Sequence, residues 1–405
     1  MARSYDNAMK WLTTLCLTAL LWPGSVALAG EWSGYVSGEY RYFPGAPNDP
    51  RQHGNNLSLS AQPEYYHEWD NGRQSITVVP FARWNQGDNK RSHADIRELN
   101  WLKASDNWEL RIGIGKVYWG VTESQHLVDI INQTDFVENL DGEDKLGQPM
   151  IQLALIRDWG TVDLFVLPGF RERTFAGADG RPRFQPRVDT SQTQYESSRK
   201  QRNIDYAARW SHYLGDWDFG LSYFHGTSRD PTLLPTTNAN GETVLIPHYE
   251  IIDQFSLDLQ ATLGDWLWKL ETIHRSGQGN RNYAAATGGF EYTLVGIFDS
   301  SYDLGLITEV LWDERGRNAP TLFDNDTMIG ARFTLNDADS SELLLGLVID
   351  NNDQSRMLSI EGSRRIGQRW KLSIEARTFA NAPQGSLLYG MRDDDYLQLE
   401  LARYF

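Results

Sequence analysis

Beyond residue 30 the chain alternates apolar and polar residues with a period of two almost without a break. In "FSLDLQATL", Phe255, Leu257, Leu259, Ala261 and Leu263 oppose Ser256, Asp258, Gln260 and Thr262. "WELRIGIGKVY" sets Leu110, Ile112, Ile114 and Tyr118 against Glu109, Arg111, Gly113 and Gly115. "SSELLLGLVIDNN" sets Leu343, Leu345, Leu347 and Ile349 against Glu342, Gly346 and Asp350. A period of two sends the two sets to opposite sides of a sheet. Each strand therefore has one apolar face and one face that gathers the charges. Roughly eighteen such runs occur, each about ten to fourteen residues long, close to the roughly 9–11 that a tilted strand needs to cross a bilayer. Strands of soluble sheets usually run to about five or six residues.

The links between runs alternate short and long. The short ones are "DNG" (70–72), "SDN" (105–107), "DWG" (158–160), "LGD" (214–216), "GD" (264–265), "NDAD" (336–339) and "GQ" (367–368). Long polar links fall near 44–55, 119–149, 171–202, 230–247, 277–284, 313–325 and 381–392. This parity belongs to an outer-membrane barrel, with short periplasmic turns and longer extracellular loops. "DNNDQ" (350–354) is the one short link where a long one is expected. The last strand, "DDDYLQLELARYF", puts Leu397, Leu399, Leu401 and the terminal Phe405 on one face. That pattern resembles the C-terminal signal read by the barrel-assembly machinery, with Arg403 as a departure that can snorkel to an interface. The fold expected is all-β: a transmembrane antiparallel up-and-down barrel of about 18 strands, both ends in the periplasm.

The first 29 residues have the layout of a secretory signal: Arg3 and Lys10, an apolar run from Trp11 to Trp22, then Ala27-Leu28-Ala29 before the expected cleavage. The domains expected are 1–29, signal peptide, and 30–405, barrel. The apolar run is too short to span a bilayer, which takes roughly 20 residues. The single cysteine, Cys16, leaves with the signal, so the mature chain forms no disulfide. A net charge of −16 argues against nucleic acid as a partner. Tryptophans cluster near strand ends, at Trp32, Trp69, Trp84, Trp101, Trp119, Trp159, Trp210, Trp217, Trp266, Trp268, Trp312 and Trp370. In a barrel these form girdles at headgroup level, against outer-membrane lipid and lipopolysaccharide.

Enzyme motifs such as His-Glu-x-x-His or Gly-x-Ser-x-Gly do not occur, and neither a cofactor nor a metal site is expected. A rim enzyme would have to draft His126 near Asp129, or His225 near Asp230. If the apolar faces look at lipid, the pore is lined by Arg111, Arg209, Asp258, Lys269, Glu271, Glu309, Arg332, Glu361, Glu375, Arg377 and Glu400. These either pair across strands or set up a transverse field that orients polar solutes. The link 171–202 is basic in an acidic chain, carrying Arg171, Arg173, Arg181, Arg183 and Arg187. It reads equally as a loop against lipopolysaccharide or as a cationic mouth that attracts anionic solutes. In "WGVTESQHLVDIINQTDF" (119–136), Thr122 to Gln125 match a helix capping box, and Leu127, Ile130 and Ile131 form a short stripe. A short helix is expected over 123–132, within an inward constriction loop carrying Thr122, His126, Asp129, Asn132 and Asp135. The acidic turn "DGED" (141–144) offers hard oxygen ligands that suit calcium, and equally reads as an ordinary solvated turn.

"DIRELNWLKASDNWELRIGIGKVYWG", followed by "LVDIINQTD", resembles an uncharacterised family of proteobacterial outer-membrane barrels, porin-like in layout. The matching residues are Arg97, Glu98, Gly115, Lys116, Trp119, Gly120, Asp129, Asn132 and Asp135, with Gln133 where proline is usual. The remainder is similar in general layout to alginate-export and carbohydrate porins. The resemblance implies an outer-membrane barrel and does not supply a solute. Taken together, the residues point to a channel passing small polar or anionic solutes. Export of an acidic polysaccharide, and a plugged barrel serving as a surface-interaction protein or rim enzyme, stay open.

Overall fold

The computed structural model describes residues 30–405; the expected signal peptide lies outside the described residues. The chain begins with β1 (Glu31–Tyr42), β2 (Asn55–Trp69), β3 (Gln74–Asn85), β4 (His93–Ala104), β5 (Trp108–Gly115), β6 (Gln148–Arg157) and β7 (Gly160–Pro168). Next come β8 (Gln194–Tyr195), β9 (Ile204–Leu214), β10 (Trp217–Thr227), β11 (Thr232–Thr237), β12 (Thr243–Tyr249), β13 (Ile251–Leu263) and β14 (Trp266–Ser276). The last third holds β15 (Tyr283–Ile297), β16 (Tyr302–Asp313), β17 (Asn325–Thr334), β18 (Glu342–Asp350), β19 (Arg356–Ile366), β20 (Trp370–Ala380) and β21 (Tyr396–Tyr404). All but β8, β11 and β12 belong to one 18-stranded antiparallel sheet in which each strand pairs with the next. The sheet closes where β1 meets β21, with Tyr35 opposite Tyr404 and Glu39 opposite Glu400. β8, β11 and β12 make a small separate sheet in the loops.

Turns at the end that holds both termini are short: 70–73, 105–107, 158–159, 215–216, 264–265, 298–301, 335–341 and 367–369. The other end carries 43–54, 86–92, 116–147, 169–203, 228–250, 277–282, 314–324, 351–355 and 381–395. The short link 351–355 thus lies on the long-loop side, and the parity is unbroken. The sequence reading passed over 86–92 and 298–301. Asp70 and Asn71 take φ of 57° and 54°, which such residues accept in tight hairpin turns. Phe298 and Asp299 do the same at 58° and 55°, and a Phe there carries no turn signal.

The polarity of the ring is inverted relative to a soluble protein. Its exposed apolar side chains include Tyr40, Leu221, Phe255, Val310 and Leu399, while Glu39, Ser58, Asp258, Glu271 and Glu309 are buried. Leu397, Leu399, Leu401 and Phe405 share the exposed side as expected, and Arg403 lies over the Trp370 ring. Trp32, Trp84, Trp159 and Trp312 are also exposed. Trp119 is not part of a girdle. It is 7% exposed and packs inside with Val128, Ile130, Ile131, Met150, Phe165 and Ile273. The chain turns inward directly after β5, and the ring goes with it.

Candidate functional site

Residues 116–147 leave between β5 and β6 and reach strands on the far side of the ring. The helix expected over 123–132 does not form; among the described residues the only helices are short 3-10 turns. Carboxylates on the wall take its backbone donors instead. Glu271 Oε1 accepts from the Val121 N–H (2.6 Å), the Thr122 N–H (3.0 Å) and the Thr122 hydroxyl (2.7 Å). Its Oε2 accepts from the Val128 N–H at 3.1 Å, a donor that a helix would aim at its own preceding turn. Glu309 holds the Glu123 and Ser124 N–H groups at 2.8 Å each, and the Ser124 hydroxyl. Hydrogen bonds to ionised groups are the stronger ones, so two wall carboxylates outcompete a single helical turn.

The spaced Asp-Asn-Asp residues tie the loop together. Asp129 pairs with Lys145 on the returning leg at 3.2 Å. Asn132 spans both legs: its amide donates to the Gly115 and Leu146 carbonyls, and its oxygen accepts from the Val117 N–H. Asp135 pairs with Arg97 of β4 at 2.8 Å and accepts from the Thr174 hydroxyl. At the tip, Glu138 binds Arg83, Asn139 donates to Glu375, and Asp141 meets Arg377. The loop is thereby fixed to β3, β4, β14, β16 and β20.

The charged wall residues singled out in the sequence all sit on ring strands, and most are paired. Arg209 is bidentate on Asp258. Lys269 and Arg332 both reach Glu123, and Arg377 gathers Glu361 and Glu375. Glu400 faces Glu39 across the seam, and the half-buried Arg111 leaves its buried Nε without a hydrogen-bond partner. Sequence reasoning did not pick out Glu39, Arg83, Arg91, Asp205 and Arg229. Their signal was the same, a charge on the polar face or in a loop, but their partners lie in distant loops.

In the basic link, five arginines have a carboxylate partner: Arg171 with Asp95, Arg173 with Asp230, Arg181 with Asp394, Arg183 with Asp49 and Arg187 with Glu242, whereas Arg199, Lys200 and Arg202 at its end are exposed. The paired charges thus join loops across the mouth. Arg181 and Asp394 are 0% and 1% exposed at 2.6 Å, and Arg181 also donates to the Gly45 and Asp393 carbonyls. Arg181→Ala leaves Asp394 buried and unpaired, a change that costs about 3–5 kcal/mol. Limited proteolysis should then cut within 169–203 at least about 100-fold faster, with the barrel itself still resistant. Unchanged cleavage would mean that the other loop contacts suffice.

The titrating groups of the inward loop make its docking pH-dependent. Burial pushes Asp141 up to about 7, with Arg377 opposing and Asp144 adding. Burial and the Glu138 charge push Asp144 up to about 6. Burial opposes the charge on His126, but hydrogen bonds to Glu143 and Glu271 prevail and raise it to about 10. The raised aspartates favour the docked loop fully only below the ordinary 3.8, and that support is lost as pH rises through about 6 and 7. The raised histidine supports docking below its ordinary 6.5 and loses that support as pH rises through 10. Asp135 is buried too, yet His93 and Arg97 hold it down at about 2, so its contribution disappears only in strong acid. The loop should therefore sit most firmly near pH 4 and loosen progressively toward pH 9. Hydrogen exchange of residues 120–145 at pH 5 and 9 checks this; faster intrinsic-rate-corrected exchange at pH 5 would contradict it.

The two histidine pairings weighed for a rim enzyme do not assemble. His126 contacts Glu143 and Glu271, while Asp129 is held by Lys145. His225 pairs with Asp253, while Asp230 is held by Arg173 and Arg275. Asp141 of the acidic turn is likewise engaged by Arg377. Among the described residues, His93, Asp135 and Glu138 bring three ligand-type atoms within 4.8 Å, but Arg97 and Arg83 already neutralise the two carboxylates. That chemistry suits an ion-pair network better than a cation.

No protein-family profile matches the chain, and no curated protein matches it. Among solved structures, it is similar to a triple mutant of the Rhodopseudomonas blastica porin, with a TM-score of 0.44 and 10% identity, over 93% of this chain and 100% of that chain. A structure described as "Asymmetric conductivity of engineered proteins" gives a TM-score of 0.45 and 9% identity over the same shares.

Proposed function

We propose that the chain is a porin-like channel of a bacterial outer membrane, passing small polar solutes passively through a lumen narrowed by residues 116–147. The observation that carries this reading is the inverted closed ring, apolar outside and charged inside. Such a ring is stable only with lipid around it and polar groups or water within. The wall charges from Arg111 to Glu400 then line the passage, and the exposed row ending at Phe405 is the segment offered to the barrel-assembly machinery. Lipid and lipopolysaccharide are its surroundings, with the short turns in the periplasm. A preference for anions, or export of an acidic polysaccharide, draws little support from Arg171, Arg173, Arg181, Arg183 and Arg187 of the basic link, because these are already paired.

A second reading, a plugged barrel, is favoured by the anchoring of the loop on both sides of the ring. Single-channel recording in planar bilayers separates the two. Steady conductance from the intact protein supports the channel. Silence from the intact protein, with conductance after deletion of 121–148, identifies a plug. Silence from both removes the pore altogether.

A further inference from the structure

The inward face of the ring has two apolar sectors: one, with Met150, Phe165 and Ile273, is covered by the inward loop, and the other borders a cavity. There Met328 of β17 lies beside Val348 of β18, which pairs with Met357 of β19, which pairs with Phe379 of β20. The row forms an apolar shelf at one level of the lumen, and a lumen meant only for water and ions has no use for one. A cavity of about 240 Å³ lies between this shelf and the inward loop. It adjoins a second cavity of about 190 Å³ toward the mouth, and Leu140, Leu322 and Phe323 line both.

The polar lining of the inner cavity, Glu143 on the inward loop and Glu361 farther along β19 from Met357, is acidic in what it exposes. The side chains of Glu143 and Glu361 are 56% and 42% exposed, whereas their cationic partners His126 and Arg377 are 27% and 4% exposed. The Arg377 and Ser359 contacts of Glu361 both fall on Oε1, as does the His126 contact of Glu143. The second oxygen of each is left for a donor in the cavity.

We propose that this cavity is a solute site for amphipathic cations, with an apolar body against Met328, Val348, Met357 and Phe379 and an ammonium group at Glu143 and Glu361. The proposal rests on the channel reading and names its solute class. Burial of the body supplies affinity in proportion to apolar area, and the two carboxylates set the sign of the charge. The apolar pinch of Leu140, Leu322 and Phe323 adds a barrier to bare hydrated ions, which such constrictions repel by dewetting.

Calorimetric titration of the refolded full-length barrel tests the site whether or not the pore conducts. Benzyltrimethylammonium is the probe, with tetramethylammonium lacking the apolar body and benzoate reversing the charge. Each control should bind at least about tenfold more weakly. Val348→Thr, nearly unchanged in volume, and Glu361→Gln should each weaken the probe by about tenfold, with heat-modifiable gel mobility confirming a folded barrel. Equal binding of benzoate, or a probe indifferent to both variants, overturns the proposal. Bilayer recording runs in parallel: conductance without probe binding leaves the channel and removes the site, and binding without conductance does the reverse.

Discussion

Replacing Glu271 and Glu309 together with alanine should raise the mean single-channel conductance several-fold and lengthen open times. Glu271 is the stronger of the two clamps, because its four donors come from three residues along the loop and leave neither oxygen idle. Hydrogen bonds to a charged acceptor contribute about 1.5–3 kcal/mol each, and water reclaims part of that when the donors are released. A net loss on the order of 3 kcal/mol at Glu271 shifts a docked-to-released equilibrium by about a hundredfold. Glu271→Gln separates charge from shape. Its amide keeps one acceptor oxygen but turns an NH₂ toward one of the loop's own N–H groups, so its effect should fall between wild type and alanine. If the double variant conducts as the wild type does, the Asn132 neck holds the loop unaided.

The same clamps explain what the sequence could and could not reveal. Strand alternation, link parity and the closing face with Phe405 are local patterns, each contained within about a dozen residues. The ring follows from them directly. The helix over 123–132 was also a local reading, and it failed for a non-local reason. The capping box at Thr122 does not form: its hydroxyl donates, within reach of the Gln125 carbonyl and Glu271, where a cap would accept from the Gln125 N–H. Glu271, distant in the chain, also takes the Val128 N–H that would have extended a turn. Trp119 went astray in the same way, since a girdle and a lumen core look alike near a strand end. The basic link shows the limit for charge: its excess of arginine is legible, but its acidic partners are scattered from Asp49 to Asp394. The apolar shelf was legible in part. The inward face of β18 runs Leu344, Gly346 and Val348 before Asp350, and this apolar stretch on the face that elsewhere carries charge was the available signal.

Replacing Glu39 with glutamine should cost the barrel about 3–5 kcal/mol, read as a lowered urea midpoint for unfolding from lipid vesicles. Glu39 is 2% exposed and stands between Arg83, at 2.9 Å, and Arg91, with Arg41 on the same strand face. Glu138 of the loop tip completes the group through Arg83. Without the Glu39 charge, Arg83, Arg91 and Arg41 crowd one buried patch in which Glu138 of the loop and Glu400 across the seam are the carboxylates left. Breaking a buried pair costs far more than never having had it, because the surviving charge cannot be rehydrated. Pairing Glu39→Gln with Arg91→Met should therefore recover a large part of the loss, whereas two independent contributions would simply add. The outcome also bears on the loop, since the patch is its anchor opposite Glu271. A Glu39→Gln barrel that unfolds early but conducts normally would mean that the seam needs this network and the loop does not.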